Sequence, residues 1–214
     1  MSDSSVWPWA ALALLGAYHG VNPGMGWLFA VALGMQERSR TAVCYALVPI
    51  AIGHFLAVGT VVLGGALLHR LLPLNSVKWI VAAALIAFGL YRLIRSRHPR
   101  WVGMRVGFSG LTLWSFLMAS AHGSGLMLLP VLLNAPAMSG NHSRHMLQLM
   151  SLGSPILYTA GTAIHTLAYF ATTLAVALLV YEKFGLALLR SAWINLDFVW
   201  SLSLLVTGVA ALFL

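Results

Sequence analysis

The chain has 214 residues, of which 60% are hydrophobic and 7% charged, against about 45–50% and about 25% in soluble domains. With a mean hydropathy of +0.90, this composition excludes a soluble fold and indicates an integral membrane protein. The net charge of +8 does not indicate a nucleic-acid partner, because the cations lie between apolar runs rather than on one basic surface.

Six apolar runs are long enough to cross a bilayer as helices, since about 20 residues span its hydrocarbon core. The predicted fold is therefore an all-α integral membrane protein of about six transmembrane helices. One transmembrane domain, 1–214, divides into a first part of about 8–95, a connector of about 96–106 and a second part of about 107–214. The predicted spans lie near 8–34, 43–67, 78–95, 107–133, 156–181 and 191–213.

The basic residues are distributed unequally between the two sides of this arrangement, nine against three. Because basic loops are retained in the cytoplasm, the connector is predicted to face the cytoplasm and both termini to lie outside it. The predicted location is the cell membrane of a bacterium, the inner one in a Gram-negative host. The cytoplasmic set is Arg38, Arg40, Arg92, Arg95, Arg97, Arg100, Arg105, Lys183 and Arg190, and the opposite set is Arg70, Lys78 and Arg144.

The two parts carry matching motifs in the same order. His19 is followed 35 residues later by His54, and His122 is followed 43 residues later by His165. The same two intervals lead on to a glycine in each third span, Gly89 and Gly208. Because each part holds three spans, an odd number, the second must enter the membrane from the opposite side. The sequence thus predicts an inverted repeat, a common plan of secondary transporters.

The four histidines of this repeat fall well inside predicted spans, near the middle of the bilayer. Ionisable groups at that depth usually face a bundle interior or a water-filled path. The alternative is a neutral histidine that makes one interhelical hydrogen bond. Four histidines at repeat-related positions favour a functional site, made of His19, His54, His122 and His165.

Both first spans are interrupted directly after their histidine. Residues 19–26 read HGVNPGMG, and residues 122–130 read HGSGLMLLP. Proline and clustered glycine break or kink a helix. Close helix packing through glycine is the alternative. Paired breaks in corresponding spans indicate a transporter site, because the freed backbone groups can line a cavity.

Several side chains near the histidines are candidate metal ligands. Imidazole nitrogen suits first-row transition metals. Asn22 could add an oxygen donor and Met25 a soft sulfur, although methionine in a span is also a common core filler. Asp197 in the last span could relay protons, bind the cation or pair with an arginine.

The segment Gly16–Met25 (GAYHGVNPGM), together with Gly53-His54, resembles the nickel/cobalt transporter families of the exporter type, and more loosely the wider LysE-type exporter superfamily. The resemblance implies six or more helices, two related halves and divalent metal transport, with His19 and His54 as ligands. Met25 stands where the exporter pattern has a second histidine, which makes the chain a divergent member.

The predicted function is a transporter or exporter that passes a transition-metal cation, nickel- or cobalt-like or else copper or zinc, through a histidine-lined midplane site. The metal is its substrate, and no permanently bound cofactor is expected. The expected partners are the lipid bilayer, the metal ion and either a second copy or another membrane subunit. The alternatives are a redox protein with histidine-ligated haem or metal and a metal-dependent membrane enzyme.

Overall fold

The structure, a computed structural model, describes residues 6–94, 107–138, 155–184 and 196–213, without the side chains of 134–138, 155–156, 184 and 196–197. Nearly all of the described residues are helical, which confirms the predicted all-α membrane class. Their eight α-helices are α1 (Trp7–Val21), α2 (Trp27–Glu37), α3 (Arg40–Leu71), α4 (Leu74–Ile94), α5 (Phe108–Ala121), α6 (Ser124–Met138), α7 (Pro155–Leu179) and α8 (Leu196–Phe213).

Three of the described helices, α3, α4 and α7, are each long and apolar enough to cross a membrane. The bent pair α5 and α6 passes the same test as one span, which makes a fourth. In α8 the apolar stretch Phe198–Phe213 is shorter, and the first predicted span is divided between α1 and α2. The described residues therefore contain three to four candidate spans by length and composition, and the count of six stays a prediction.

The first break separates α1 from α2, as the sequence predicts. A short 3₁₀ helix, Pro23–Met25, lies between them. Pro23 has no N–H to continue the helix, and the Asn22 side chain accepts a hydrogen bond from the Gly24 N–H at 2.9 Å. Gly26 has φ +120, a conformation that side chains strongly disfavour. These three features end one helix and start another within a few residues.

The second break, between α5 and α6, lies at His122 and Gly123 and turns the helix axis by 59°. Gly123 has φ +68, which glycine adopts without steric cost. Pro130 lies inside α6 and does not break it. The predicted interruption of residues 122–130 is thus confirmed, and glycine rather than proline produces it.

Helices α1 and α7 pack in parallel through two glycines of α1. A Cβ on Gly16 would overlap the His165 carbonyl oxygen, and a Cβ on Gly20 would lie 2.7 Å from that of Tyr169. The residue numbers rise together along both helices, so the two run in the same direction. The missing side chains let the backbones approach closely, as small residues do between membrane helices.

Helices α4 and α8 pack antiparallel, and their contacts are reciprocal. A Cβ on Gly89 would lie 3.2 Å from the Leu204 Cβ, and one on Gly208 would lie 3.0 Å from the Leu85 Cβ. Gly89 and Gly208 are 119 positions apart in the sequence, as are Leu85 and Leu204. Each helix thus uses the same pair of positions to contact the other, as in an isologous interface.

The close contact of α3 with α5 generates a stability prediction. A Cβ on Gly53 would overlap the Thr112 carbonyl oxygen, whereas one on Gly64, on the same helix, would meet nothing within 4 Å. Overpacking of this kind costs about 1–3 kcal/mol. Gly53→Ala should therefore lower the thermal unfolding temperature in detergent micelles, and Gly64→Ala should leave it equal or higher. Equal unfolding temperatures for the two variants would contradict the packing described.

Candidate functional site

Three of the four predicted histidines form one buried cluster at the centre of the helices. His19 lies near the end of α1, His54 near the middle of α3 and His165 near the middle of α7, and all three are completely buried. The ring centroids are 5.0 Å apart for His19 and His165, 5.4 Å for His54 and His165, and 5.8 Å for His19 and His54. Residues far apart in the sequence thus share one site, which we call the histidine cluster.

Backbone carbonyls of α1 orient two of these rings. The Nδ1–H of His19 donates to the Leu15 carbonyl oxygen at 2.6 Å, and the Nδ1–H of His165 donates to that of Leu12 at 3.2 Å. A carbonyl oxygen only accepts, so Nδ1 must carry the proton in both rings. In a neutral imidazole this leaves a lone pair on Nε2. Both Nε2 atoms are therefore available as acceptors or ligands.

The tautomer of the third ring, His54, follows from that of His165. His54 Nε2 lies 3.2 Å from His165 Nε2, and since the His165 atom is the acceptor, His54 donates. The lone pair of His54 is then on Nδ1. Neither this atom nor His19 Nε2 has a hydrogen-bond partner within the described residues. A buried polar atom left unpaired costs about 1–3 kcal/mol. A ligand that binds these two lone pairs would therefore remove an energetic cost.

His122 adjoins the cluster through Trp200 of α8. Its Nδ1–H donates to the Met118 carbonyl at 2.7 Å, the same bond four residues back that His19 makes. The Trp200 ring centroid lies 4.6 Å from His19 and 5.4 Å from His122, edge to face in both cases. The indole N–H donates to the His122 carbonyl oxygen at 2.6 Å. One aromatic side chain thus contacts histidines from both parts of the chain.

The turn between α1 and α2 lies beside His122. A Cβ built on Gly24 would be 3.6 Å from His122 Nε2 and 3.2 Å from the Asn22 side-chain oxygen. That oxygen already accepts the Gly24 N–H. Gly24 therefore lies close to both side chains, and that of Asn22 stabilises the turn.

Met25 is held in the same region by its backbone. The Tyr169 hydroxyl donates to the Met25 carbonyl oxygen, and the Tyr169 ring stacks on His54 with centroids 3.8 Å apart. The Met25 side chain is buried in the main apolar core with Trp27 and Ile50. Its environment is that of a core residue, while its carbonyl connects the turn to the histidine cluster through Tyr169.

Acidic groups contribute little to the described part of the site. Asp197 lies in the first turn of α8, and its side chain is outside the described residues. Glu37 is exposed at the end of α2, and Glu182 pairs with Arg40 at 3.1 Å. Among the described residues, no group of three or more His, Cys, Asp or Glu side chains is already arranged to hold a metal ion.

Sequence reasoning missed the two aromatic residues that enclose the histidines, Trp200 and Tyr169. Trp200 is 1% exposed and Tyr169 is completely buried. Tryptophan and tyrosine in membrane proteins favour the interfaces at the ends of spans. Their positions well inside predicted spans were therefore a usable signal, since a buried indole or phenol needs a hydrogen-bond partner.

Comparison with known proteins gives one match. The family model described as divalent cation/proton antiporter GDT1 matches residues 26–100. The match covers α2, α3 and α4, and it includes His54. Neither the comparison with curated proteins nor that with solved structures found a match.

This match corrects the resemblance to nickel/cobalt exporters, which was wrong. The resemblance depended on the segment Gly16–Met25 and on Gly53-His54, whereas the matching family model is that of the antiporter. The physical reason lies in the backbone. The Asn22-Pro23-Gly24 element forms a helix break, and such breaks occur in transporters of many families.

The contact between Tyr169 and the turn generates a second stability prediction. Tyr169→Phe keeps the ring on His54 but leaves the buried Met25 carbonyl without its donor, which should cost about 1–3 kcal/mol. Thermal unfolding in detergent would measure this loss. Tyr45→Phe is the matched control. Because Tyr45 is 73% exposed, this variant should unfold at the same temperature as the wild type. A Tyr169→Phe protein as stable as the control would show that this hydrogen bond is absent.

Proposed function

We propose that the protein is a membrane antiporter that exchanges a divalent cation for protons at the histidine cluster. The proposal rests mainly on the contact between His54 and His165, whose Nε2 atoms lie 3.2 Å apart in a completely buried site. The match of residues 26–100 to the divalent cation/proton antiporter family model supports the same function.

The chemistry of imidazole links cation binding to proton release. Each lone pair binds either a proton or a cation, so a metal can bind these nitrogens only when they are unprotonated. A first-row metal binds imidazole at about 2.0–2.1 Å, which puts two nitrogens of a tetrahedral site about 3.3 Å apart. The observed 3.2 Å is close to that separation. A cation bound to both Nε2 atoms would require the His54 proton to move to the unpaired Nδ1 of the same ring. The protons exchanged for the cation would be those released by doubly protonated rings.

The donor set favours one class of cation. Calcium and magnesium bind oxygen ligands, mostly carboxylates, and the matched segment 26–100 contains one acidic residue, the exposed Glu37. Neutral nitrogen donors suit borderline transition metals such as zinc. We therefore propose a transition-metal cation as the substrate, bound by His54 and His165 with His19 as the nearest third ligand. His122 and Asn22 are the next donors along α5 and the first break.

The helix directions support an inverted repeat and, with it, alternating access. If the second part were a direct copy of the first, α1 and α7 would run antiparallel and α4 and α8 parallel. The opposite is observed for both pairs, as expected when the second part enters from the other side. Rocking one part against the other would then expose a central site to each side in turn.

A transport assay tests this proposal. The purified protein is placed in vesicles that contain a pH dye. An inward zinc gradient should drive protons out of the vesicles, and an inward proton gradient should drive zinc out of them. His54→Ala and His165→Ala should each reduce both fluxes at least about tenfold, since removing even a supporting group at a metal site costs about 10–100-fold.

The matched control for the assay is His69→Ala. His69 lies on the same helix as His54, in the last turn of α3, and about 22 Å away by helical rise. This variant should transport like the wild type, which controls for the loss of a histidine from α3. Undiminished exchange in both cluster variants would refute the histidine site, and no zinc-driven proton flux in the wild type would refute the antiporter.

A haem protein is disfavoured by the same contact. Two axial histidines must lie on opposite faces of a flat macrocycle, and His54 and His165 are within hydrogen-bonding distance of each other. An inserted ring would require α3 and α7 to separate.

The proposed orientation keeps the basic connector in the cytoplasm and both termini outside. The ion pair of Arg40 and Glu182 joins the start of α3 to the segment after α7, so these two ends lie on one side, as the charge distribution requires. Reporter fusions at Arg97 and Leu214 should report cytoplasm and exterior, respectively. A cytoplasmic C-terminus would exclude six spans.

A further inference from the structure

A groove lies between α3 and α7, and none of the three cluster histidines lines it. Its volume is about 300 Å³, at the lower end of the range of ligand pockets. The walls are mostly apolar and include Phe55, Leu63 and Leu67 of α3. From Phe55 to Arg70 the groove follows α3 for about 22 Å by helical rise.

The groove is polar at one end. Arg70, in the last turn of α3, lines it there and is exposed. No acidic side chain among the described residues forms an ion pair with Arg70. Tyr158 of α7 lines the same groove, and its buried hydroxyl has no hydrogen-bond partner in the described part of the chain. A cation and an unpaired hydroxyl thus accompany a long apolar surface.

We propose that this groove is a binding site for an anionic phospholipid. The phosphate would accept from Arg70 and the Tyr158 hydroxyl, and an acyl chain would lie along α3. Charge complementarity determines the occupant, since Arg70 attracts an anion and repels the cation proposed for the histidine cluster. Its position at the end of a membrane helix is where lipid headgroups lie. The inference is independent of the proposed transport function.

Gly59 keeps the groove open. It lines the groove, and a Cβ on it would meet nothing within 4 Å. A larger side chain there would extend into the groove, and Gly59 is helical, so the backbone tolerates the change. Gly64, on the same helix, is equally unobstructed but does not line the groove. The pair therefore provides a matched test of occupancy.

The experiment measures how much phosphatidylglycerol and phosphatidylcholine remain bound to the full-length protein in native mass spectrometry after purification from mixed vesicles. The wild type and Gly64→Leu should retain more phosphatidylglycerol than phosphatidylcholine, and Gly59→Leu should lose most of the bound phosphatidylglycerol. Arg70→Gln should weaken the preference by roughly fivefold, the contribution of one basic residue near an anionic surface. All four proteins should have similar unfolding temperatures without added lipid.

Three outcomes would overturn the proposal. Equal retention by Gly59→Leu and Gly64→Leu would place the lipid elsewhere. Equal retention of both lipids by the wild type would remove the role of Arg70. A dimer that Gly59→Leu dissociates, with no lipid bound, would identify a second copy of the chain as the occupant.

Discussion

The hydrogen bond between His54 and His165 is the constraint on which the centre of this molecule depends. An imidazolium buried away from water is costly unless it is paired, and the described part of the cluster contains no acidic partner. The rings are therefore expected to be neutral, and one proton bridges two bases. Each remaining lone pair can bind a cation, or it can bind a proton at the cost of forming a buried imidazolium. This competition between cation and proton gives the site its proposed chemistry.

The close approach of the helix backbones makes this arrangement possible. Gly16 and Gly20 bring α1 against α7, which places the Leu12 carbonyl within reach of His165. A larger residue at either glycine would separate these helices and leave the imidazole without its acceptor. The first helix break acts on the fourth histidine, because the turn before α2 places Gly24 close to His122. Small residues thus determine the tautomers indirectly, through backbone distance.

Much of the helix pattern could be predicted from the sequence because apolar run length and proline or glycine clusters act locally. The breaks after His19 and at His122 belong to this class. The proximity of His19, His54 and His165 was also expected, from their order in the two parts. The roles of Tyr169 and Trp200 depend on which helices pack against each other and on which side of each span faces the histidines, and the length of an apolar run does not reveal either. The family resemblance failed because a helix-breaking motif reflects backbone geometry rather than descent.

The two parts of the chain contribute different side chains near the histidine cluster, and the difference lies at Trp200. The reciprocal packing of Gly89 and Gly208 aligns Trp200 with Val81 in the first part. Val81 is a buried core residue of α4, whereas Trp200 contacts both His19 and His122. His19 and His122 make the same bond to a carbonyl four residues back, and the His19 ring also contacts those of His54 and His165. An inverted repeat with identical halves would offer the same site to both sides of the membrane. Because Trp200 comes from one part alone and Val81 is the smaller residue at the matching position, the surroundings of the histidine cluster are not symmetric.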